Sequence, residues 1–226
     1  VESGDMDTAQ KMVDEAAKAS GHVKVWHNTN ADFTVFDKAF IGTNQGTALG
    51  RGFYVSLNET AYKDGYGKKR MGLYAKAENP YDATVNRETA FTKQQAEMLL
   101  EKYGNPRVEG YDPESELYAL ATSIYNEGVL ADLQDKRRAF NRLEYLAKEA
   151  GATREAVLQE LGYDGVVADP QLMVFDANQL KSADPVTYSD DGAPIPLSQR
   201  FTDSNDIRFQ ERDSDNAPLS PEQIEY

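Results

Sequence analysis

Apolar and polar residues near the start of the chain follow first a helical and then a strand pattern. Between residues 5 and 20 the apolar positions recur at three- and four-residue spacing among charges, which predicts an amphipathic helix. The stretch Val23–Trp26 then alternates polar and apolar residues of β-forming type and predicts a strand. That strand would deliver His27, Asn28 and Thr29 at its end.

The following part of the chain indicates short strands between loops. The stretch 42–52 is rich in Gly, Thr and Asn and cannot pack as a regular element. Residues 52–56 are aromatic and β-branched and predict a second strand. Asn58–Thr60 resembles the start of a helix that leads to Tyr66, and the stretch 71–77 predicts a third strand.

A long helical region follows, and short strands come after it. Leucines and alanines recur at helical spacing from Thr89 to Leu161, which predicts a helical insert at about residues 89–161. The predicted helical segments are Gln94–Tyr103, Glu114–Tyr125, Gly128–Ala150 and Thr153–Leu161. Apolar runs at 166–167 and 172–175 lie on either side of an Asp-Pro pair. They predict two strands joined by a tight turn.

The pattern as a whole predicts an α+β fold with a polar end. Beyond Ala183 isolated apolar residues lie among Ser, Asp, Pro and Gly, which indicates an extended segment tied down at the apolar positions. We therefore expect an N-terminal helix at residues 1–22, one folded domain at 23–210 and a flexible tail at 211–226.

Length and charge narrow the classes of function. The 226 residues allow one filled core or two small ones, and the formal charge is −14. Such an acidic chain disfavours sequence-independent binding to nucleic-acid backbones, which depends on clustered cations. No apolar run approaches the ~20 residues that cross a bilayer, and the acidic start does not resemble a signal peptide. We expect a soluble protein without a membrane partner.

Metal centres and nucleophilic triads find little support in the sequence. The chain has no cysteine, which excludes disulfides, thiolate nucleophiles and Cys-based zinc sites. Its two histidines, His22 and His27, are not at a metal-binding spacing. No Gly-x-Ser-x-Gly elbow is present either. We therefore expect no metal ion as a cofactor.

Several segments, in this order, resemble motifs of ADP-ribosyltransferases. Val25–Thr29 is similar to the strand-end His-Gly-Thr motif of the diphtheria-toxin and PARP branch, and Gly52–Ser56 is similar to its Gly-x-Tyr-Phe-Ser/Thr strand. Leu161–Val167 with Val174–Ser182 resembles the closing stretch of the ADP-ribosyltransferase domains in phage and mobile-element polyvalent proteins. Pro194–Phe201 resembles the tail of those domains, whereas the helical insert matches in position only.

The resemblance implies two small antiparallel sheets around an NAD cleft. It also implies an NAD-dependent mono-ADP-ribosyltransferase, which moves ADP-ribose from NAD, its co-substrate, to a macromolecular acceptor. We expect a host protein rather than a nucleic acid as the acceptor. The protein would be an effector or toxin of a phage or mobile element, acting in the cytoplasm of a bacterium or host cell. The alternatives are an NAD glycohydrolase and a non-catalytic module that binds NAD or a protein.

The resemblance also assigns roles to single residues. Cleaving the bond between nicotinamide and ribose builds positive charge on the sugar, so a site has to hold the base, pin the ribose and present negative charge. His27 would bind a ribose hydroxyl, and the Asn28 backbone would bind the nicotinamide amide. Tyr54 and Tyr66 would stack on the two faces of the ring. Three more residues complete the predicted cofactor-binding set: Thr29, Arg51 and Ser56.

Two positions depart from the family pattern. Asn28 stands where glycine is usual, which requires backbone torsions that suit a non-glycine residue. Gln171 falls on the position of the catalytic glutamate, so the predicted catalytic set is His27, Tyr54 and Gln171. Asp169, two residues earlier, matches the position that recognises the target.

The glutamine changes the expected chemistry. A glutamine forms hydrogen bonds but has no charge to face the developing cation, which would reduce turnover about a thousandfold. Three interpretations are open for Gln171. The chain is a deliberately inactivated variant that traps NAD, a natural relative with glutamine, or a case of shifted register in which Asp169 supplies the charge.

Overall fold

The computed structural model describes residues 3–42, 48–62, 66–84, 91–104, 112–135, 138–201 and 204–208. The chain divides into two units. We call Val1–Pro80 with Asp164–Tyr226 the sheet unit, and Tyr81–Tyr163 the helical unit. The predicted tail at 211–226 and the predicted start of the insert at Thr89 lie outside the described residues.

One helix, the strands and short 3-10 helices form the sheet unit, apart from β4, which spans the division between the units. The elements are α1 (Ser3–Ala19), β1 (Val23–Thr29), β2 (Phe53–Ser56), β3 (Lys69–Ala75), β4 (Pro80–Asp82), β5 (Gly165–Ala168), β6 (Gln171–Val174) and β7 (Leu180–Ser182). The 3-10 helices are Lys38–Phe40, Ala177–Gln179 and Leu197–Gln199. The predicted pair of strands around the Asp-Pro turn is confirmed as the antiparallel pair of β5 and β6.

The described strands form one sheet in the order β4-β5-β6-β2-β1-β3-β7. The α+β class is therefore confirmed, but the expected two sheets are joined. β1 pairs with β3 along its whole length, whereas it pairs with β2 only through Trp26 and Ser56. This single pair links a β5-β6-β2 half to a β1-β3-β7 half, which is why one sheet replaces the two that we expected.

The larger apolar cluster of the sheet unit lies on one face of these strands, and a smaller cluster around Tyr74 packs against α1. Val25, Leu73, Val174 and Leu180 come from β1, β3, β6 and β7 and are fully buried in one apolar cluster. Successive residues of a strand point to opposite faces, so β1 directs Val25 and His27, which are two residues apart, to the same face. The part of β1 around Val25 is thereby fixed to the core, while the last residues of the strand remain available to a site.

The turn after β2 differs from the predicted helix. In the described residues 57–62 the chain forms bends and turns, and the Asn58 Oδ1 accepts hydrogen bonds of 2.8 Å from both the backbone N–H and the hydroxyl of Thr60. Such a local side-chain bond competes with helix formation. Tyr62 has a φ of +59°, which a right-handed helix does not accommodate.

The helical unit has four described helices: α2 (Lys93–Tyr103), α3 (Glu116–Gln134), α4 (Ala139–Glu149) and α5 (Arg154–Glu160). The predicted boundary between the segments Glu114–Tyr125 and Gly128–Ala150 is wrong, because α3 continues through Gly128 and ends at Gln134. A glycine inside a helix costs about 1 kcal/mol relative to alanine. The complete burial of Val129 and Leu133 just beyond it offsets that cost.

Candidate active site

A cavity of about 720 Å³ lies in the sheet unit beside the ends of β1 and β2. This volume is typical of small-molecule sites. The cavity brings together most of the predicted site residues: His27, Asn28, Thr29, Tyr54, Ser56, Tyr66 and Gln171. Arg51 and Asp169 are exposed and do not belong to the lining residues.

The imidazole of His27 has a defined orientation. Its Nδ1 lies 2.8 Å from the backbone oxygen of Tyr54. A carbonyl oxygen only accepts, so Nδ1 carries the hydrogen and donates it. Burial lowers the pKa of His27 below its ordinary value, and the Tyr54 bond opposes this only in part. The neutral ring therefore leaves Nε2 as an acceptor for a hydroxyl group.

Aromatic rings pack around this imidazole. Phe33 and Phe36 meet His27 edge to face, with ring centroids 6.0 and 5.0 Å away. The two phenylalanines also contact each other at 4.8 Å, and Phe36 reaches Phe53 of the core at 5.4 Å. We call His27, Phe33 and Phe36 the histidine wall. Since both phenylalanines line the cavity, they exclude water from the side of the imidazole.

Tyr54 and Ser56 of β2 use their hydroxyls within the protein. The Tyr54 hydroxyl donates to the Gly50 oxygen at 2.8 Å and accepts from the Leu49 N–H at 2.9 Å. These bonds fix the position of the ring, which lines the cavity. The Ser56 hydroxyl donates to the Asn58 oxygen at 2.8 Å and accepts from the Asn58 N–H at 3.1 Å, so it stays an acceptor for a further donor.

Gln171 is the first residue of β6 and the cross-strand partner of Ser56. Ser56 is in turn the partner of Trp26, so the three residues form one row across β6, β2 and β1. Gln171 is half-buried and lines the cavity, and its side chain has no hydrogen bond to another described residue. Its amide is therefore available to a ligand.

Two tyrosines form the opposite side of the cavity. The rings of Tyr62 and Tyr66 meet edge to face at 5.4 Å, and their side chains are exposed. Gly67 follows with a φ of +139°, and a Cβ at this position would lie 2.6 Å from the Thr29 carbonyl carbon and oxygen. Only glycine lets the chain approach β1 this closely. We call Tyr62, Tyr66 and Gly67 the tyrosine wall.

Asn28 fits the strand although glycine is usual at its position. Tyr62 is the one non-glycine residue with positive φ in the described ranges, so Asn28 has ordinary strand torsions. Its side chain donates from Nδ2 to the Tyr62 backbone oxygen and accepts at Oδ1 from Arg70 at 3.1 Å. The amide therefore links β1 to the tyrosine wall and to β3.

Several residues of the site have no counterpart in the sequence prediction. Tyr62, Phe33 and Phe36 line the cavity, and Arg70 supports it from outside. The one sequence feature that could have pointed to Tyr62 is that an aromatic residue stands in the polar stretch after Tyr54. Arg70 carries no signal at all, because its partners lie far away in the sequence.

Metal-binding groups and membrane-spanning helices are both absent from the described residues. The described ranges contain no group of three or more His, Cys, Asp or Glu side chains placed to hold a metal ion. Among the helices in these ranges, none has the length and apolar character to span a membrane.

Comparison with known families agrees with this geometry. The model of the family described as ADP-ribosyltransferase in polyvalent proteins matches residues 19–187. This range covers most of the chain and contains every predicted site residue. The protein is thus of the ADP-ribosyltransferase class, and the chain belongs to the family of ADP-ribosyltransferases in polyvalent proteins. Neither curated proteins nor solved structures gave a match.

Proposed function

We propose that the protein is an NAD-dependent mono-ADP-ribosyltransferase with a protein acceptor, and that Gln171 reduces its turnover. One observation carries this proposal: His27 from β1, Tyr54 from β2 and Gln171 from β6 line the same cavity. We also propose that the protein is an effector of a phage or mobile element and acts in a host cytoplasm, which membership in the polyvalent-protein family supports. The charge of −14 favours a protein over a nucleic acid as the acceptor.

The cavity offers a partner for each part of the nicotinamide riboside end of NAD. The faces of Tyr54 and Tyr66 suit the flat pyridine ring. Among the described residues β1 pairs with β2 only through Trp26, and we propose that the backbone of Asn28 binds the carboxamide beyond this pair. The Ser56 oxygen can accept from the same amide, and His27 Nε2 can accept from a ribose hydroxyl.

The reaction needs little covalent chemistry from the protein. The bond between ribose C1′ and the nicotinamide nitrogen breaks, and its electron pair leaves with the base, which becomes neutral. The sugar carries the positive charge until an acceptor nucleophile bonds to C1′ and releases its proton. Gln171 can hold a ribose hydroxyl through its amide, but it offers no negative charge to that cation.

Two further positions belong to the proposal. Asp169 lies exposed in the turn two residues before Gln171, where an incoming acceptor can reach it. Arg51 directly precedes Gly52, which lines the cavity, and we propose that its cation attracts the phosphates of NAD. No other residue of the proposed set lies outside the lining.

The decisive experiment restores the charge. We expect Gln171→Glu to release nicotinamide from NAD about a hundredfold faster or more, because a charge about 4 Å from the sugar stabilises the cation by several kcal/mol. Gln171→Met, which has a similar size and no charge, is the matched control and should not gain activity. An unchanged rate in Gln171→Glu would show that another residue holds the catalytic position.

Gln171 also favours a second function, a non-catalytic module that binds NAD or a protein. Labelled NAD separates the candidates in one assay with the unaltered chain. Label that moves to a protein acceptor supports the transferase. Free nicotinamide without transfer identifies an NAD glycohydrolase, and binding without either product identifies the non-catalytic module.

A further inference from the structure

Arg70 lies outside the cavity and binds the turn that leads to Tyr62. Its Nη1 donates to the Asn28 Oδ1 at 3.1 Å and to the Ala61 oxygen at 3.2 Å. Its Nη2 donates to the Asn58 oxygen at 3.2 Å. A planar guanidinium suits this work, because it presents several donors in a fixed fork. Arg70 thus binds two backbone carbonyls of the turn and one side chain of β1.

Asn28 completes the link from β1. Its amide accepts from Arg70 and donates to the backbone oxygen of Tyr62, so both ends of the group are used. Tyr62 has a left-handed φ of +59°, a conformation that is unfavourable for a non-glycine residue. Such a torsion persists only when its surroundings fix it, and Asn28 bonds the carbonyl of this residue.

The contacts reach the tyrosine wall through its own rings. Tyr62 meets Tyr66 edge to face at 5.4 Å, and both side chains are partly exposed to solvent. Apart from Gly67 against Thr29, the described anchors of this region are polar. The Lys68 N–H, for example, donates to the Asn30 Oδ1 at 3.0 Å. Removing a polar anchor should therefore move the wall.

We infer that Arg70 and Asn28 form a latch that holds the tyrosine wall in place for the nicotinamide end of NAD, and that Arg70 is a positioning residue of the site. The inference rests on the proposed function, since that function supplies the ligand. Arg70 does not act as a direct phosphate ligand, because both of its terminal nitrogens bind protein acceptors and the residue does not line the cavity.

The chain contains its own reporter for a test. Trp26 is the single tryptophan, it lines the cavity, and the Arg70 guanidinium lies 6.0 Å from its ring centroid. Titrations of the full chain with NAD, nicotinamide and ADP-ribose can therefore be followed by tryptophan fluorescence. ADP-ribose lacks the base that the wall contacts, so it separates an effect of the latch from a general loss of structure.

Two variants break different parts of the latch. Arg70→Met removes the fork, whereas Asn28→Asp keeps an acceptor for Arg70 but cannot donate to Tyr62. We expect each to weaken NAD and nicotinamide binding about tenfold, the value of one hydrogen bond to a charged or buried group, and to change ADP-ribose binding less than about twofold. Lys76→Met, which removes a cation just after β3, is the matched control and should bind all three ligands normally.

A second measurement does not depend on NAD. Hydrogen exchange of the backbone amides in residues 58–62 should speed up several-fold in both variants and not in Lys76→Met. Nicotinamide binding and exchange that both match the control would overturn the latch, and equal losses for nicotinamide and ADP-ribose would do so as well. If the unaltered chain does not bind NAD while exchange responds as expected, the proposed function fails and the latch stands. Should Arg70→Met not fold, Asn28→Asp decides alone.

Discussion

The two walls of the cavity are built in opposite ways. In the histidine wall, aromatic rings pack on one another and on the core, and Phe36 is 7% exposed. In the tyrosine wall, Tyr66 is 44% exposed, and hydrogen bonds to backbone groups hold the neighbouring chain. The histidine wall therefore contributes to the stability of the fold, whereas the two exposed tyrosine rings of the other wall can change at little cost to that stability.

The contrast is sharpest between Phe36 and Tyr66. We expect Phe36→Ala to lower the free energy of unfolding by about 3–5 kcal/mol, because it leaves a cavity between core and imidazole. Tyr66→Ala should change that free energy by less than about 0.5 kcal/mol, as an exposed side chain is lost. Chemical denaturation of the variants measures both values.

Tyr66, whose removal should hardly change the stability, should matter for NAD affinity. Tyr66→Ala should weaken NAD binding up to about tenfold, because a stacking partner of the pyridine ring is removed.

Phe40→Ala is the control for the stability of Phe36→Ala. It also removes an aromatic ring from the cavity lining, but Phe40 is 71% exposed and lies outside the packed cluster. If Phe36→Ala were as stable as Phe40→Ala, the proposed division between the walls would be wrong.

A smaller effect is expected where the tyrosine wall touches β1. Gly67→Ala places a Cβ within 2.6 Å of the Thr29 backbone, which should lower the free energy of unfolding by about 2–3 kcal/mol and shift the wall. Gly192→Ala is the matched control, because Gly192 also has positive φ, of +81°, but has open space around its Cβ. It should lose about 1 kcal/mol and bind NAD normally. Equal losses in the two variants would contradict the close contact.

The smallest effect is a pH dependence of the histidine wall. Burial lowers the pKa of His27 below 6.5. The folded chain then binds this proton more weakly than the unfolded chain does. The resulting contribution to the free energy of unfolding therefore rises with pH between the folded pKa and 6.5, and it is lost as pH falls through that window. NAD affinity should stay level as pH falls to 6.5 and decrease only as pH falls further, through the lowered pKa of the folded chain, where protonation removes the Nε2 acceptor.

Nuclear magnetic resonance of the imidazoles measures this titration directly. Burial and the cations of Lys181 and Lys76 lower the pKa of His22 to about 4, so the His22 signal should titrate at a more acidic pH than that of an ordinary histidine. A His22→Gln background removes that second signal and leaves His27 alone. A pKa of His27 at or above 6.5 would contradict the buried, neutral imidazole.

Local patterns predicted the elements that carry the site. Alternation identified β1, aromatic and β-branched composition identified β2, and the Asp-Pro pair located the turn between β5 and β6. The failures were long-range or conformational. The helix predicted from Asn58 does not form, because the Asn58 side chain makes a local turn and Tyr62 has a left-handed φ. Gly128 does not interrupt α3, because burial further along the helix outweighs the low helix propensity of glycine.

The predicted ligand set was mostly placed on one cavity, but its support was not foreseen. His27, Tyr54 and Gln171 lie on three strands whose order depends on pairing, which a motif alone does not specify. Arg70 and Tyr62 act through backbone carbonyls, and these leave no trace in residue type. The roles of the individual residues remain predictions that the variants above test.

The single pair of Trp26 and Ser56 makes the sheet a two-leaved structure with one rung at its seam. The imidazole and Gln171 lie on different leaves, which the Trp26–Ser56 pair and the bond from His27 Nδ1 to the Tyr54 oxygen connect. The width of the gap across which a sugar cation would form therefore depends on very few contacts along this seam.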